Sequence, residues 1–409
     1  MSAVKAFRST AFILVAIMVG VALGLAMGKG ATPLGQIGKY YIDLIKAVAA
    51  PLLFFAILDA ILTSEIKWKS AQRFLGVIAI NTCIAGAIGM TLANAFHPGQ
   101  HLDLGSKVKD TGQLVAAQGH KVDFLGFVDS LLPKSIIEPF TTNNILGVAF
   151  LAVLLGCALK SFQNHNEPWV EQWERLIHGG YRLSERVIGW LVMLTPFAVC
   201  AVIAKGVGES GFSHLMGILP FLGFVLLGLC IQTFVVYPIW LFVVRKMPFR
   251  AFWKEASTPL FNAFGINSSL ATLPLTLKAL DNLGVSKESS RLAACIGTNL
   301  NNDGILLYEA FAVLIIAQAL HMDLTFGAQI SMILICLMAT LGISGVPEAG
   351  FISLAVVVST LGYSTEILLT FFTVDWIIAR MRSVTNVMAD ITTSIAIDVK
   401  PKAVPSSES

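Results

Sequence analysis

Stretches of about 20 apolar residues recur along the whole of this 409-residue chain, and no other feature restricts its fold so sharply. Inside lipid every backbone N–H and C=O must find its partner within the protein, so runs of that length demand membrane-crossing helices. Composition agrees. The chain is 56% hydrophobic and 13% charged, with a mean hydropathy of +0.76, against roughly 25% charged residues in a soluble domain. One integral membrane domain is expected over residues 1–409, with 398–409 as a polar tail. The net charge of +3 sits in loops and signals topology, not nucleic-acid binding. Six cysteines lie inside apolar runs without CxxC or CxH spacing, which disfavours disulfides and zinc. The first run, Ala11–Met27, follows Lys5 and Arg8 but lacks a clear A-x-A site, so it reads as a retained helix.

Taken in order, crossings are expected at about 11–30, 38–62 and 74–96, the last stopped by His97-Pro98-Gly99. Residues 100–123 read as a polar loop, and 124–132 with 144–159 as a fourth, Pro-broken element. An amphipathic, Trp- and Arg-bearing segment (160–186) precedes crossings at about 187–207 and 216–244. The Lys/Arg-rich N-terminus, 64–73 link, 160–186 segment and 245–254 cluster belong in the cytoplasm. Beyond residue 254 alternation fails, because Phe252–Leu277 is apolar yet both its flanks read as cytoplasmic. A re-entrant hairpin with FGINSSLATLP at its middle fits, and Ala328–Ser359, with LGISGVPEAG, repeats the device from outside. The expectation is all-α: eight transmembrane helices, two re-entrant helical hairpins and both termini cytoplasmic.

Near the C-terminus an apolar run carries Asp375, Arg380, Arg382, Asn386 and Asp390. Charge at mid-membrane is costly and marks a functional site by default. At about 100° per residue, Asp375, Ala379, Arg382, Asn386 and Asp390 share one helix face. Arg382 offers a fork of donors to a carboxylate, or serves as counter-ion of Asp375 or Asp390. Asn299, Asn301, Asn302 and Asp303 are almost contiguous, which suggests local unwinding so that oxygens converge on a hard cation such as Na⁺. A polar helix packed against its neighbours is the plainer alternative. At the hairpin tips, Ser268, Ser269 and the Gly342–Gly345 turn can present N–H groups and hydroxyls to an anion. Glu309, a lone membrane carboxylate, is a candidate proton site or a structural hydrogen-bonding group.

SSLATLP (268–274), NNDG (301–304), GISGVPEAG (342–350) and DWIIARMRSVTNVMAD (375–390) resemble the signature segments of the glutamate transporter family, the dicarboxylate/amino acid:cation symporters. HPG (97–99) and LIKAVAAPLLF (44–54) fit as well, so the resemblance covers nearly the full chain. It implies a homotrimeric elevator. A scaffold (about 11–62 and 124–207) would stay fixed while a transport part (about 74–96 and 216–397) moves, gated by the second hairpin. Cation ligands are implied at Gly297, Asn301, Asn386 and Asp390, and a second site at Asp303 and Asn301 with Asn81 and Thr82. Ser268, Ser269 and Gly345 would hold the substrate's main carboxylate, and Arg382 the distal one. Glu309 matches a position that is acidic in proton-coupled members, and Arg380 lies off the polar face near a gate.

Departures from the family pattern carry information too. Ile305, Asn299, Ile343 and Ile78 replace hydroxyl-bearing residues. Ala379 stands where amino-acid transporters keep an Asp that pairs with the substrate ammonium. A broken buried pair costs about 3–5 kcal/mol, a penalty that a substrate without an amino group avoids. The expected function is therefore Na⁺- and/or H⁺-coupled uptake of small dicarboxylates such as succinate, malate or fumarate, with no other cofactor. The expected location is a bacterial inner membrane. An acidic amino-acid symporter is the alternative, and a channel or non-transporting receptor on this scaffold is the reading of another class. No nucleophile–base pair or metal-ligand spacing suggests an enzyme.

Overall fold

The computed structural model describes residues 3–63, 68–102, 132–142, 144–165, 167–210, 212–340, 349–364 and 366–398. Among the described residues there are helices and no strands. All but the last residue of the expected stretch 124–132, most of the 100–123 loop, and the tip of the second hairpin with Ile343 and Gly345 lie outside them.

The N-terminal half supplies α1 (Ala3–Met27), α2 (Gly35–Thr63), α3 (Trp68–Phe96) and α4 (Ile145–Asn164). Gly28–Leu34 joins α1 to α2 as a tight 3₁₀ stretch, so the first two runs form one nearly continuous apolar length. Asn144 caps α4 by accepting from Gly147 N–H at 3.2 Å. The expected division at residue 186 is not where the chain breaks. α5 (Val170–Met193) runs through it, and α6 (Thr195–Ser210) departs at a 46° bend. Pro196 explains the position, since proline suits the first turn of a helix and not its interior.

The C-terminal half holds α7 (Phe212–Ile231), continued by two π-helical stretches, Gln232–Val236 and Ile239–Val244. Next come α8 (Phe249–Ile266) and α9 (Ser269–Asn282), then α10 (Asp303–Ala319), α11 (Phe326–Thr340), α12 (Ala349–Thr360) and α13 (Ile367–Ile397). α8 and α9 pack on each other, as do α11 and α12, giving the two expected helical pairs. Among the described residues, four stretches are long and apolar enough to cross a membrane: Val15–Tyr41, Gln72–Phe96, Gly147–Asn164 and Met216–Val243. The bent pair α5–α6 makes a fifth.

α10 and α13 form the centre. Every residue of α10 from Asp303 to Ala317 is buried, and so are most of α13's. A helix shielded on all sides belongs to the interior of a larger protein. α3, α7, α8, α9, α11 and α12 surround them, while α1, α2, α4, α5 and α6 pack chiefly on one another. Polar side chains on α10 and α13 thus have no solvent, and each must be satisfied by protein or by a ligand.

Candidate substrate and cation site

The chain turns between α8 and α9 at Asn267, which adopts a left-handed conformation with φ +56°. Asparagine tolerates that region because its short polar side chain bonds locally, and such a residue ends helices well. Ser268 then caps α9, its Oγ accepting from Ala271 N–H at 3.1 Å. Ser383 on α13 donates to Asn267 Oδ1 at 3.0 Å and so ties the hairpin tip to the central helix. The tip faces a small cavity of about 20 Å³, room for little more than a water in this state. Its walls are Asn267, Ser268 and Ser269 from the hairpin, Ile305 from α10, Ala349 and Gly350 from α12, and Ala379, Arg382, Ser383 and Asn386 from α13. Every described residue expected to hold substrate lines this one space.

Arg382 is the cavity's only ionic wall among the described residues. Its Nη1 and Nη2 donate to Asp375 Oδ1 and Oδ2 at 2.7 and 3.1 Å, a two-pronged pair buried to 3% and 1% side-chain exposure. Side chains on a helix lean toward its N-terminus, which lets Arg382 reach two turns back past Ala379. The guanidinium also lies over the Tyr308 ring, 4.2 Å from its centroid. Gly350 admits it, because a Cβ there would sit 2.6 Å from Arg382 Cζ and Nε. Arg380 does not line the cavity. It donates to Trp376 O and sits 5.7 Å from that residue's ring.

Below the cavity the chain unwinds as expected. A short turn, Gly297–Leu300, ends at non-helical Asn301 and Asn302 before α10 begins. Asn386 spans the break, accepting from Gly304 N–H at 3.0 Å and donating to Asn302 Oδ1 at 3.2 Å. Gly304 cannot carry a side chain, since its Cβ would lie 2.8 Å from Arg382 O and 2.9 Å from Asn386 Oδ1. Asp390 Oδ2 accepts from Thr298 at 2.6 Å, while Oδ1 faces Gly297 and has no hydrogen-bond partner. Asn301 Oδ1 is likewise buried and unpartnered. Orphaned buried oxygens are rare and call for an explanation such as an ion. An all-oxygen donor set suits a hard cation, so these residues fit one.

Asp303 stands apart from Asp390, with Thr82 donating to Oδ1 at 3.0 Å and Tyr237 to Oδ2 at 2.8 Å. Asn81 Oδ1 accepts from Trp240 Nε1 at 2.8 Å. Glu309 is fully buried beside the Ser353 hydroxyl, and neither group has a hydrogen bond within 3.5 Å. Sequence reasoning missed Tyr237, Trp240, Thr298 and Tyr308. The available signal was Gln232 and Tyr237, polar groups inside the apolar run that forms α7. Among the described residues, no three His, Cys, Asp or Glu side chains group as a metal site.

Central helices stripped of solvent, polar side chains lining a small cavity, and membrane-length apolar helices around them define a polytopic membrane transporter. The chain belongs to the sodium:dicarboxylate symporter family, which matches residues 10–399. That family consists of transporters, not enzymes. The proton/glutamate-aspartate symporter of Bacillus subtilis (strain 168) is similar to it at 28% identity, over 96% of this chain and 94% of that protein. The C4-dicarboxylate transport protein of Delftia acidovorans is similar at 28%, over 94% and 87%. A C4-dicarboxylate transport protein of Bacillus subtilis (strain 168) shares 26%, over 96% and 90%.

Proposed function

We propose that this chain is a cation-coupled symporter that takes up small dicarboxylates lacking an amino group. The observation carrying the substrate choice is Ala379, a bare methyl on the cavity wall one turn before Arg382. An ammonium at that wall would be buried without a carboxylate facing it, which is expensive. Ser268, Ser269 and Gly345 receive one substrate carboxylate and Arg382 the other, with Asp375 holding Arg382 until substrate arrives. Gly297, Asn301, Asn386 and Asp390 bind one coupling cation, and Asp303 with Asn301, Asn81 and Thr82 a second. Glu309 is the proton carrier if coupling includes H⁺. Eight crossings with two re-entrant hairpins, a homotrimeric elevator and a bacterial inner membrane with both termini cytoplasmic complete the reading.

The second reading is uptake of acidic amino acids, with Asp375 or backbone carbonyls meeting the ammonium. It is favoured by Asp375 lying against Arg382, and one relative is named for glutamate and aspartate. Radiolabelled uptake into proteoliposomes separates the two. Succinate should accumulate under an imposed Na⁺ or H⁺ gradient, and competition by aspartate but not by malate or fumarate would overturn the choice. Conductance without accumulation would indicate a channel.

A further inference from the structure

Asp303 is 1% exposed, and the donors that hold its two oxygens come from two different helices. Thr82 belongs to α3, whereas Tyr237 belongs to the π-helical continuation of α7. The same continuation reaches Asn81 through the indole N–H of Trp240. Tyr237 and Trp240 flank Pro238, between the π turns Gln232–Val236 and Ile239–Val244. A π turn is costly in regular structure and recurs at functional sites, where it re-aims side chains that an α-helix would point elsewhere. Proline adds a missing donor at the same place. Two irregular turns and a proline within 13 residues (232–244) therefore serve to aim these two side chains.

Asn81 Nδ2 and Asn301 Oδ1 are buried with no hydrogen-bond partner. Gln232, on the same continuation of α7, shares in the hydrogen bonding of both Tyr237 and Asp303. Buried polar groups are almost always paired, so the unpartnered Asn301 oxygen, two residues from Asp303, leaves an acceptor for a cation.

We propose that Tyr237 and Trp240 are positioning residues for a cation at Asp303. Tyr237 fixes the orientation of the Asp303 carboxylate, and Trp240 fixes the Asn81 amide, so that α7 locks ligands contributed by α10 and α3. Neither residue lines the substrate cavity. Their effect falls on cation affinity and leaves substrate recognition alone. The inference rests on the reading of Asp303 as a cation site and adds to it a helix which that reading does not use.

The test uses full-length purified protein without substrate, with heat unfolding and intrinsic fluorescence followed as NaCl replaces choline chloride. Wild type, Tyr237→Phe and Trp240→Phe are compared with Tyr363→Phe, whose hydroxyl meets only Met322 Sδ among the described residues, at 3.7 Å. The half-saturating Na⁺ concentration should rise about tenfold in Tyr237→Phe and several-fold in Trp240→Phe. It should stay at the wild-type value in Tyr363→Phe, and substrate affinity at saturating Na⁺ should be unchanged in all of them. A half-saturating Na⁺ within twofold of wild type in Tyr237→Phe and Trp240→Phe overturns the positioning role. If wild type itself gives no Na⁺ response, the reading of Asp303 as a sodium site has failed and the positioning role falls with it. Should Tyr237→Phe not purify folded, Trp240→Phe decides by the same criterion.

Discussion

Arg382 and Asp375 lie seven residues apart on α13, and the guanidinium spends both of its outer nitrogens on one carboxylate. The pair solves the problem of a cation in a buried cavity wall, because a charge there without a partner would not be tolerated. It also presents substrate with an arginine already aimed and stacked on Tyr308. An incoming carboxylate has to share that arginine with Asp375 or displace it.

Removing Asp375 should therefore destabilise the substrate-free protein most. Asp375→Asn leaves Arg382 buried without its ion partner, a loss of about 3–5 kcal/mol for a broken buried pair. The melting temperature should fall, and saturating succinate should restore more of it than the same succinate adds to wild type, because the ligand supplies the missing charge. An unchanged melting temperature without substrate rejects this account.

Arg382→Ala should abolish dicarboxylate uptake while the protein still folds and inserts, read by size-exclusion chromatography beside the uptake assay. The variant removes the cavity's only ionic wall among the described residues. Retained uptake would show that the second carboxylate is held elsewhere.

Gly350→Ala adds one methyl group that collides with the guanidinium at 2.6 Å. Succinate affinity should drop by roughly tenfold or more, since a shift of about 1 Å at a positioning group can cost 10²-fold. Gly223→Ala on α7, with open space around the added Cβ, is the matched control and should transport normally. Equal behaviour of the two would mean that Arg382 moves aside freely.

Ala379→Asp should raise aspartate affinity relative to succinate, by supplying an anionic partner for the ammonium at the cavity wall. Competition of labelled succinate uptake by aspartate measures the shift. No gain at all would remove the argument from the missing carboxylate.

Glu309→Gln should make uptake insensitive to an imposed pH gradient while a Na⁺ gradient still drives it, if Glu309 carries the proton. The residue is fully buried and neither carboxylate oxygen has a hydrogen bond within 3.5 Å, so a neutral amide of the same shape fits. Uptake that still follows the pH gradient assigns the proton to another group.

The sequence alone determined the helical class, most of the helices and the residue types at the centre, because lipid leaves a chain few choices, though not the break between α5 and α6. Apolar length gave the helical runs, and FGINSSLATLP between two apolar halves gave the interruption between α8 and α9. The run Asn299–Asp303 gave the interruption before α10, and helical periodicity put Asp375, Ala379, Arg382, Asn386 and Asp390 on one face. All of these are local in sequence and follow from backbone hydrogen bonding and a 3.6-residue period.

Only the tertiary structure decided who meets whom. Nothing in the spacing chose Asp375 over Asp390 as partner of Arg382, since each shares its face; side-chain lean toward the helix N-terminus and the space left by Gly350 made that choice. Tyr237 and Thr82 are separated from Asp303 by 66 and 221 residues, so their convergence on one carboxylate reflects how α7 and α3 pack against α10. Long-range contacts of that kind carry no periodic signal. They are written in the fit of side chains between helices, which a linear reading does not contain.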